Sequence, residues 1–444
     1  MKKLSLQGLA ITTFVFLMML GVSKIADLKL ISAFDGMSQA FKEFEITDIV
    51  FSQLRDTPLV DQRIVVVNMG NLSRREVAQQ INIIRQYKPK VIGIDSYFDC
   101  EGGLRDSINC PQLLDTLGNL LLAYEIQEAG NVVLVSKLMQ KTKTDLDKTL
   151  IDFYDSLEYS DSIFSTNAKY GFANLVTNPP AAHQEDVKQC RSFIPKYKVG
   201  DKDHYAFAVQ LCMAYDSAKT MRFLARNKEE EIINYRGNIE IQDIRLKSVR
   251  EKDTETTNYP LMFYSIDVEQ LANGEFFKED FFTDKIVIIG FLGAYFGEFT
   301  WSDKYFTPLN KKAAGRANPD MFGVVVHANI VAMILNEDYV EELPDWAQIA
   351  IAIIVCFFTV ISFIIIDKRL PMWFDTLSVT IQVIQIIITS AIIVFAFKWF
   401  SMKLDLSLSL AASALVGPAY DIYKGFENQI TAWVTKKPKE VLTE

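Results

Sequence analysis

Four uncharged apolar stretches constrain this chain more than any other feature of its sequence. Leu4–Ser23, Trp346–Ile366 and Thr376–Phe397 carry no Asp, Glu, Lys or Arg, and each is close to the roughly 20 residues that cross a bilayer as a helix. The fourth, Leu406–Tyr420, is shorter and spans only if Asp405 reaches the interface. A short apolar run can also be a buried core helix, but three long runs favour an α-helical membrane bundle of four spans.

The composition indicates that the spans are only part of the protein. The chain is 50% hydrophobic yet 23% charged, which is too charged for a bundle of membrane helices alone and predicts a globular part as well. The net charge of −9 and the lack of a basic patch argue against nucleic acid as a partner. The partners that we expect are the lipid bilayer and other membrane or envelope proteins.

The charges beside the apolar stretches predict the membrane orientation. Lysines and arginines lie before the first span, between the second and third, and after the fourth, whereas Asn336–Asp345, before the second span, is acidic. The positive-inside rule then places both termini in the cytoplasm and the large domain, Lys24–Asp345, outside. A cleaved signal peptide is the alternative for the first stretch, although no small-x-small cleavage site follows it. The predicted divisions are 1–23 for the first span, 24–345 for the external domain, 346–420 for three spans and 421–444 for a cytoplasmic tail.

The cysteines fit an external domain. Cys356 lies in a span, and the other four, Cys100, Cys110, Cys190 and Cys212, fall on the oxidising side in an even number. Three pairings are open; we favour Cys100–Cys110 with Cys190–Cys212, and free buried thiols are the alternative. Because no CxxC occurs and the chain has three histidines, we expect no metal site.

The external segment has the pattern of an α/β domain. Apolar strands "RIVVVNM", "KVIGID" and "NVVLVSKL" alternate with helical patterns over Ser73–Tyr87, which begins with a capping box of Ser73 and Glu76, and around Gln112–Gln127. "DKIVIIGFLG" is the strongest strand. Such strands belong in a mainly parallel or mixed sheet with helices on both faces. Further along, we expect a hairpin edge within Cys190–Gly200, a helix over His204–Asp216 and a strand over Glu230–Asn238.

Several polar residues at predicted strand ends are candidate ligand contacts. Asp95 ends a strand, where open α/β sheets place functional carboxylates, although it can equally cap the following turn. Asn234 and Arg236 end another strand, and Arg236 can pair with Asp95, with Glu298 or with an anionic ligand. The pattern places His327 and Asn329 between a strand "GVVV" and a helix "NIVAMIL"; we favour a structural junction there, with a ligand contact as the alternative.

The sequence gives little evidence for phosphate binding or catalysis. The glycines of "GFLGAYFGEF" lack the GxGxxG or P-loop spacing, and no nucleophile elbow occurs. We therefore expect no enzyme and no cofactor. Two sets of residues are candidates for partner contacts. The first is an aromatic loop with Phe296, Phe299, Trp301 and Tyr305. The second is a polar face of the third span with Gln382, Gln385 and Thr389.

The order of the motifs resembles a known family. "VIGIDSYF", "GFANL", "INYRGN", "KIVIIGFLGAYFGEF", "YFTPLN" and "GVVVHANIVAMIL" follow one another as in the type-two CHASE domain, the extracellular sensory module of bacterial cyclases and histidine kinases. The resemblance covers roughly Phe41–Leu335. It implies one span before the domain and three after it, and it matches Asp95 to the family's Asp in the same motif. Where typical members have acidic residues, this chain has Asn68 and Asn71.

The resemblance implies a sensory role. Typical members continue into an output domain, whereas Asp421–Glu444 is too short to form one. We therefore expect a non-enzymatic sensor that passes a binding event through its helices to a separate protein. The alternative is a structural or scaffold subunit of an envelope or transport complex, and a homo-oligomer remains open.

Overall fold

The β-branched runs form a mostly parallel sheet in the computed structural model, which describes residues 2–27, 46–56, 58–99, 115–140, 154–178, 188–239, 261–275, 280–298, 300–310 and 318–435. Its α-helices are α1 Lys2–Asp27, α2 Ile46–Ile49, α3 Arg74–Gln86, α4 Thr116–Ala129, α5 Ser162–Ser165, α6 Phe207–Tyr215, α7 Ser217–Leu224, α8 Val268–Ala272, α9 Gly323–Asn336, α10 Asp345–Arg369, α11 Phe374–Phe400 and α12 Ser407–Thr435. Its strands are β1 Ile64–Asn68, β2 Val91–Asp95, β3 Val132–Met139, β4 Ser156–Tyr159, β5 Lys169–Phe172, β6 Thr177–Asn178, β7 Gln189–Cys190, β8 Ser192–Phe193, β9 Lys196–Val199, β10 Lys202–Tyr205, β11 Glu231–Ile232, β12 Asn238–Ile239, β13 Leu261–Ile266, β14 Ile286–Gly290, β15 Lys304–Tyr305, β16 Met321–Phe322, β17 Glu341–Glu342 and β18 Met402–Lys403.

The main sheet has the order β12-β13-β1-β14-β2-β3-β4, with β5 also paired to β3. All of these pairings are parallel except that of β3 with β4. The register aligns the carboxyl ends of the central strands: Asn68 lies opposite Gly290, and Gly290 lies opposite Asp95. The predicted mixed, mainly parallel sheet is confirmed.

Helices cover both faces of the sheet, as predicted. Alternate residues of a strand face opposite sides. Val65, Ile92 and Val287 pack with apolar residues of α3 and α4 on one face. On the other face, α6 and α9 approach so closely that a Cβ at Gly93 would lie 2.7 Å from a Leu211 methyl.

The capping box predicted at the start of α3 is present, since the Glu76 amide donates to Ser73 Oγ and the Glu76 carboxylate accepts from the Ser73 amide. Other boundaries are corrected. His204 lies in β10, which pairs with β9 as a hairpin, so the helix begins at Phe207. The strand expected over Glu230–Asn238 is reduced to the short β11 and β12.

The strand-to-helix junction predicted at His327 and Asn329 is wrong. Only Met321–Phe322 forms a strand there, and α9 already begins at Gly323. Both polar residues lie inside a helix whose residues from Gly323 to Leu335 are all buried. The sequence misled because a run of valines favours a strand by propensity, whereas packing on both sides of this segment stabilises a buried helix.

The chain divides into two compact units, Phe51–Val340 and a second made of Met1–Val50 with Glu341–Glu444. In the second unit, α1, α10, α11 and α12 share an apolar cluster that includes Ile11, Cys356, Phe363 and Val416. Three stretches of the described residues are long and apolar enough to cross a membrane: Leu4–Gly21, Asp345–Arg369 and Pro371–Phe400. α12 is not among them, so the predicted fourth span is not confirmed.

The polar face of α11 is used inside this helical unit. Gln382 donates to the Ser413 carbonyl at 2.8 Å, Gln385 accepts from Thr359 at 3.0 Å, and Thr389 is buried. Gln382 and Gln385 therefore form hydrogen bonds within the unit, and a partner contact on this face stays a prediction. Paired amides and hydroxyls of this kind hold helices together where water is absent.

The structure contradicts the predicted Cys190–Cys212 disulfide, because both residues are free thiols. Each is fully buried and directs its sulfur to a different carbonyl: Cys190 to Ser192 at 3.7 Å and Cys212 to Val331 at 3.8 Å. Cys100 and Cys110 lie outside the described residues. The prediction rested on an even number of cysteines in an oxidising compartment, whereas Cys190 and Cys212 serve as small core residues.

Candidate functional site

Asp95 lies at the carboxyl end of β2, in the middle of the sheet. Gly93, Asp95 and Gly290 share the face that α6 and α9 cover, because Phe207 and Val324 press against the two glycines. A Cβ at Gly290 would lie 2.7 Å from Val324 and 3.3 Å from the Asp95 Cβ. Glycine therefore lets the first turn of α9 approach the strand end, directly beside the Asp95 carboxyl.

His327 lies one helical turn beyond Gly323 on α9. Residues four apart share a helix face, and helical side chains lean toward the N-terminus, so its imidazole covers the first turn of α9. The ring meets Phe207 edge-on, with centroids 5.3 Å apart. Because Phe207 also covers Gly93, the imidazole lies above the face that carries Asp95. His327 is 3% exposed, and its Nδ1 has no hydrogen-bond partner.

A second carboxylate, that of Asp303, reaches the start of α9 from the β15–β16 ladder. The Gly323 amide donates to the Asp303 carbonyl at 2.9 Å, and a Cβ at Gly323 would lie 3.0 Å from both carboxylate oxygens. The Tyr305 hydroxyl lies near the same carboxylate and favours its charged form. The Lys188 ammonium lies over the Tyr305 ring, 5.7 Å from its centroid. Asp95, Asp303, Tyr305 and His327 are called the strand-end site below.

The electrostatics of the strand-end site are unusual for carboxyl groups. Desolvation raises the pKa of Asp95 to about 7. Desolvation and then repulsion from Asp95 raise the pKa of Asp303 to about 7, against the opposing effects of Lys188, Tyr305 and Gly323. Burial lowers the pKa of His327 to about 4, so that imidazole is neutral at pH 7. Both carboxyls therefore keep their protons to a higher pH than ordinary carboxyls do, and the titration of one depends on the other.

Asp95 is also unsatisfied. Within the described part of the chain its carboxylate forms no hydrogen bond and no ion pair, although Asp95, Asp303 and Tyr305 all keep some surface open to solvent. A desolvated carboxyl without a partner is costly to the fold, and groups of this kind concentrate at functional sites. The strand-end site can therefore accept hydrogen bonds, or a positive charge, from outside.

The neighbouring strand end is closed by Asn68. Its Nδ2 donates to Asp267 at 2.7 Å and to the Gly293 carbonyl at 3.0 Å, while its Oδ1 accepts from the Gly70 and Leu292 amides. Asn68 is fully buried, and this network joins the loops that follow β1, β13 and β14. The departure from the acidic pattern of the family therefore serves a structural role.

The other predicted ligand residues, Asn234, Arg236 and Asn329, form a separate group of contacts with α9 and Asp338, called the latch below. Asn329 donates to the Gly237 and Val325 carbonyls, both at 3.0 Å, and accepts from the Arg236 amide. Arg236 forms an ion pair with Asp338, and Asn234 donates to the Asp338 carbonyl at 2.9 Å. Arg236 therefore does not pair with Asp95 or Glu298. These bonds hold the segment around residues 234–237 against α9, although the buried Asn234 Oδ1 has no hydrogen-bond partner.

The predicted aromatic contacts divide between surface and interior. Trp301 is 54% exposed, and Tyr295, which was not among the predicted contacts, is 60% exposed. Phe296 is partly buried, and its amide donates to Asp267 at 2.9 Å. Tyr305 belongs to the strand-end site, and Phe299 lies outside the described residues. The Glu298 carboxylate accepts from the Ala294 amide at 2.7 Å.

Sequence reasoning found Asp95 and His327 but missed Asp303 and Lys188. The sequence signal for Asp303 is weak: it is the carboxylate of "WSDKYF", between the strongest strand and the "GVVV" segment. Its role depends on β15 pairing with β16, two strands of two residues each. Among the described residues, no group of three or more His, Cys, Asp or Glu side chains is placed to hold a metal ion.

The comparisons with known proteins give one finding. The family model of the CHASE2 domain matches residues 10–364. No curated protein and no solved structure matches the chain.

Proposed function

Because this chain belongs to the CHASE2 family of extracellular sensory domains, we propose that it is a non-enzymatic membrane sensor. In this proposal the Phe51–Val340 unit lies in the periplasm and binds a small ligand. The binding event passes through the membrane helices to a separate partner protein.

The observation that carries the proposal is the Asp95 carboxyl. It lies at the carboxyl ends of parallel strands, where open α/β sheets bind ligands. It is desolvated, has no partner among the described residues and remains within reach of solvent. A fold retains such a group when a ligand completes it.

Chain connectivity supplies a route for the signal. The first turn of α9 contacts Asp303 and carries His327 above the strand ends, and a short segment connects the last turn of α9 to α10. A ligand that shifts the equilibrium between two positions of α9 also acts on the start of that span. Hydrogen bonds from α11 to α10 and α12 pass the change to the other helices.

The proposed membrane placement rests on charge and hydropathy. Three apolar stretches are long enough to span, and lysines or arginines flank the ends that we place in the cytoplasm: Lys2, Lys3, Lys368, Arg369 and Lys424. The proposed location is a bacterial inner membrane with both termini in the cytoplasm.

The test is a ligand screen on the purified full chain. Thermal shifts with a small-molecule library are measured for the wild type, for Asp95→Asn, and for Asp284→Asn as a control that makes the same atomic change at an exposed position. We expect at least one compound class to stabilise the wild type and the control but not Asp95→Asn. Compounds that shift all three proteins equally would place binding elsewhere and contradict the proposal.

One observation favours the scaffold function as a second candidate. α4 is apolar on its outer side as well as its inner side, with Leu117, Leu120, Leu121 and Tyr124 all at least 36% exposed. An exposed apolar stripe on a helix is typical of a protein contact. If the chain is a scaffold, Leu120→Gln removes associated proteins from the purified complex while Asp95→Asn leaves them in place.

A further inference from the structure

The strand-end site has a charge that selects one class of ligand. We propose that it binds a small organic cation, whose ammonium or guanidinium group lies between the carboxylates of Asp95 and Asp303. This inference rests on the proposed sensory function and adds the chemistry of the ligand to it.

The first argument concerns the unused acceptors. Within the described residues, the Asp95 carboxylate receives no hydrogen bond. The Gly323 amide donates to the Asp303 backbone carbonyl, and the Asp303 carboxylate lies beside Gly323. A carboxylate that lies in a desolvated place gains most from a donor that also carries positive charge. Val324 and the Asp95 Cβ both lie beside Gly290, and the Asp303 carboxylate lies beside Gly323, the residue before Val324. The two carboxyls therefore meet at the first turn of α9, where Asp95 raises the cost of ionising Asp303.

The second argument excludes an anion. The N-terminus of a helix attracts negative charge, but at α9 that position is already taken by the Asp303 carboxylate, which lies against Gly323. An anionic ligand would meet two carboxyls there. The unpartnered Nδ1 of the neutral, buried His327 offers one further polar contact to a ligand group without adding charge.

The third argument is a cation that the chain itself places at this edge. The Lys188 ammonium lies over the face of Tyr305 and favours the charged form of Asp303, yet within the described residues it forms no salt bridge. An ammonium beside an aromatic face and a carboxylate is the chemistry that amine-binding proteins use. Lys188 is exposed, and the ligand's cation takes the place beside Asp95.

The test uses isothermal titration of the full chain in nanodiscs with matched probes. The cationic probes are butane-1,4-diamine, methylammonium and methylguanidine. Butane-1,4-diol is the neutral control of the same length, and succinate is the anionic control. We expect at least one cation to bind the wild type and Asp284→Asn, and both Asp95→Asn and Asp303→Asn to weaken it by about 10- to 100-fold.

The dependence on pH gives a readout that a general loss of folding would not mimic. A cation binds the ionised pair, so affinity should rise between about pH 6 and about pH 8 and then level, with release of a proton. The charged or titratable groups that act on the pair are Lys188 and Tyr305, and the nearby His327 stays neutral over this range. Titration in two buffers of different ionisation enthalpy measures the released proton.

Three outcomes overturn the inference. They are equal binding of the diol or of succinate, cation binding that is unchanged in Asp95→Asn, and no binding of any cation at concentrations up to about 1 mM. None of these alone removes the proposed sensory function, which fails only if the library screen also finds no compound that depends on Asp95.

Discussion

The substitution Asp95→Asn should make the protein more stable, and more so as the pH rises. In the unfolded chain this carboxyl loses its proton near its ordinary pKa of 3.8, whereas in the folded chain the pKa is about 7. Between these values the folded state binds more protons than the unfolded state. The free energy of unfolding of the wild type therefore falls from about pH 4 to about pH 7 and is then constant.

The magnitude follows from the size of the pKa shift. A rise from 3.8 to about 7 corresponds to about 4 kcal/mol at about 1.4 kcal/mol per pKa unit. Solvent still reaches the carboxyl, and a proton on Asp303 relieves part of the repulsion, so we expect a gain of about 1 to 3 kcal/mol at about pH 8. The amide keeps the shape of the side chain and removes only the charge.

The assay is the apparent Tm of the full chain in detergent between about pH 5 and about pH 8. Asp284→Asn is the control, because Asp284 is exposed at the other end of the sheet. We expect the Tm of Asp95→Asn to exceed that of the wild type by a margin that grows with pH, and the control to follow the wild type. A loss of stability in Asp95→Asn, or a difference that does not change with pH, would refute the claim that this carboxyl is desolvated and unpartnered.

Three further predictions concern the core of the domain. Asn68→Asp should lower the free energy of unfolding by about 3 kcal/mol or more, because it sets a second carboxylate against Asp267 at the present 2.7 Å contact. Adding Asp267→Asn should restore most of that loss in denaturant melts. A double variant as unstable as Asn68→Asp would argue against this contact. Asn329→Ala should cost about 2 to 4 kcal/mol, since it leaves buried backbone groups of α9 and of the segment around Gly237 without partners; an unchanged Tm would contradict the latch. Cys190 and Cys212 should resist alkylation in the folded protein, because burial raises the pKa of Cys190 to about 12. Both should react after unfolding without a reductant. A disulfide between them in mass spectrometry would restore the disulfide prediction.

The sequence predicted the central sheet because its signals are local. Strands β1, β2, β3 and β14 are short apolar runs rich in valine and isoleucine, and α3 begins with a capping box that depends on two residues three apart. Patterns of this kind need no knowledge of tertiary packing. The same is true of the three apolar stretches that are long enough to cross a membrane, because length and apolarity alone predict them.

The candidate site was only partly predictable, because its members meet through long-range contacts. Asp95 could be found at the end of an apolar strand, but Asp303 reaches it through a short ladder that has no periodic signal. Arg236 was expected to pair at the strand ends, yet its partner is Asp338, about a hundred residues away. His327 was assigned to a junction because valine-rich segments favour strands, and burial on all sides made that segment a helix instead.

The most direct test of the proposed function is to identify what binds the chain in its native membrane. The full chain is extracted in mild detergent with its neighbours cross-linked, and the proteins recovered with it are quantified for the wild type, for Asp95→Asn and for Asp284→Asn. We predict a kinase, cyclase or other signalling protein in stoichiometric amount, whose recovery changes with Asp95→Asn but not with the control. A stoichiometric envelope or transport assembly recovered equally with all three proteins would contradict the sensor and support the scaffold.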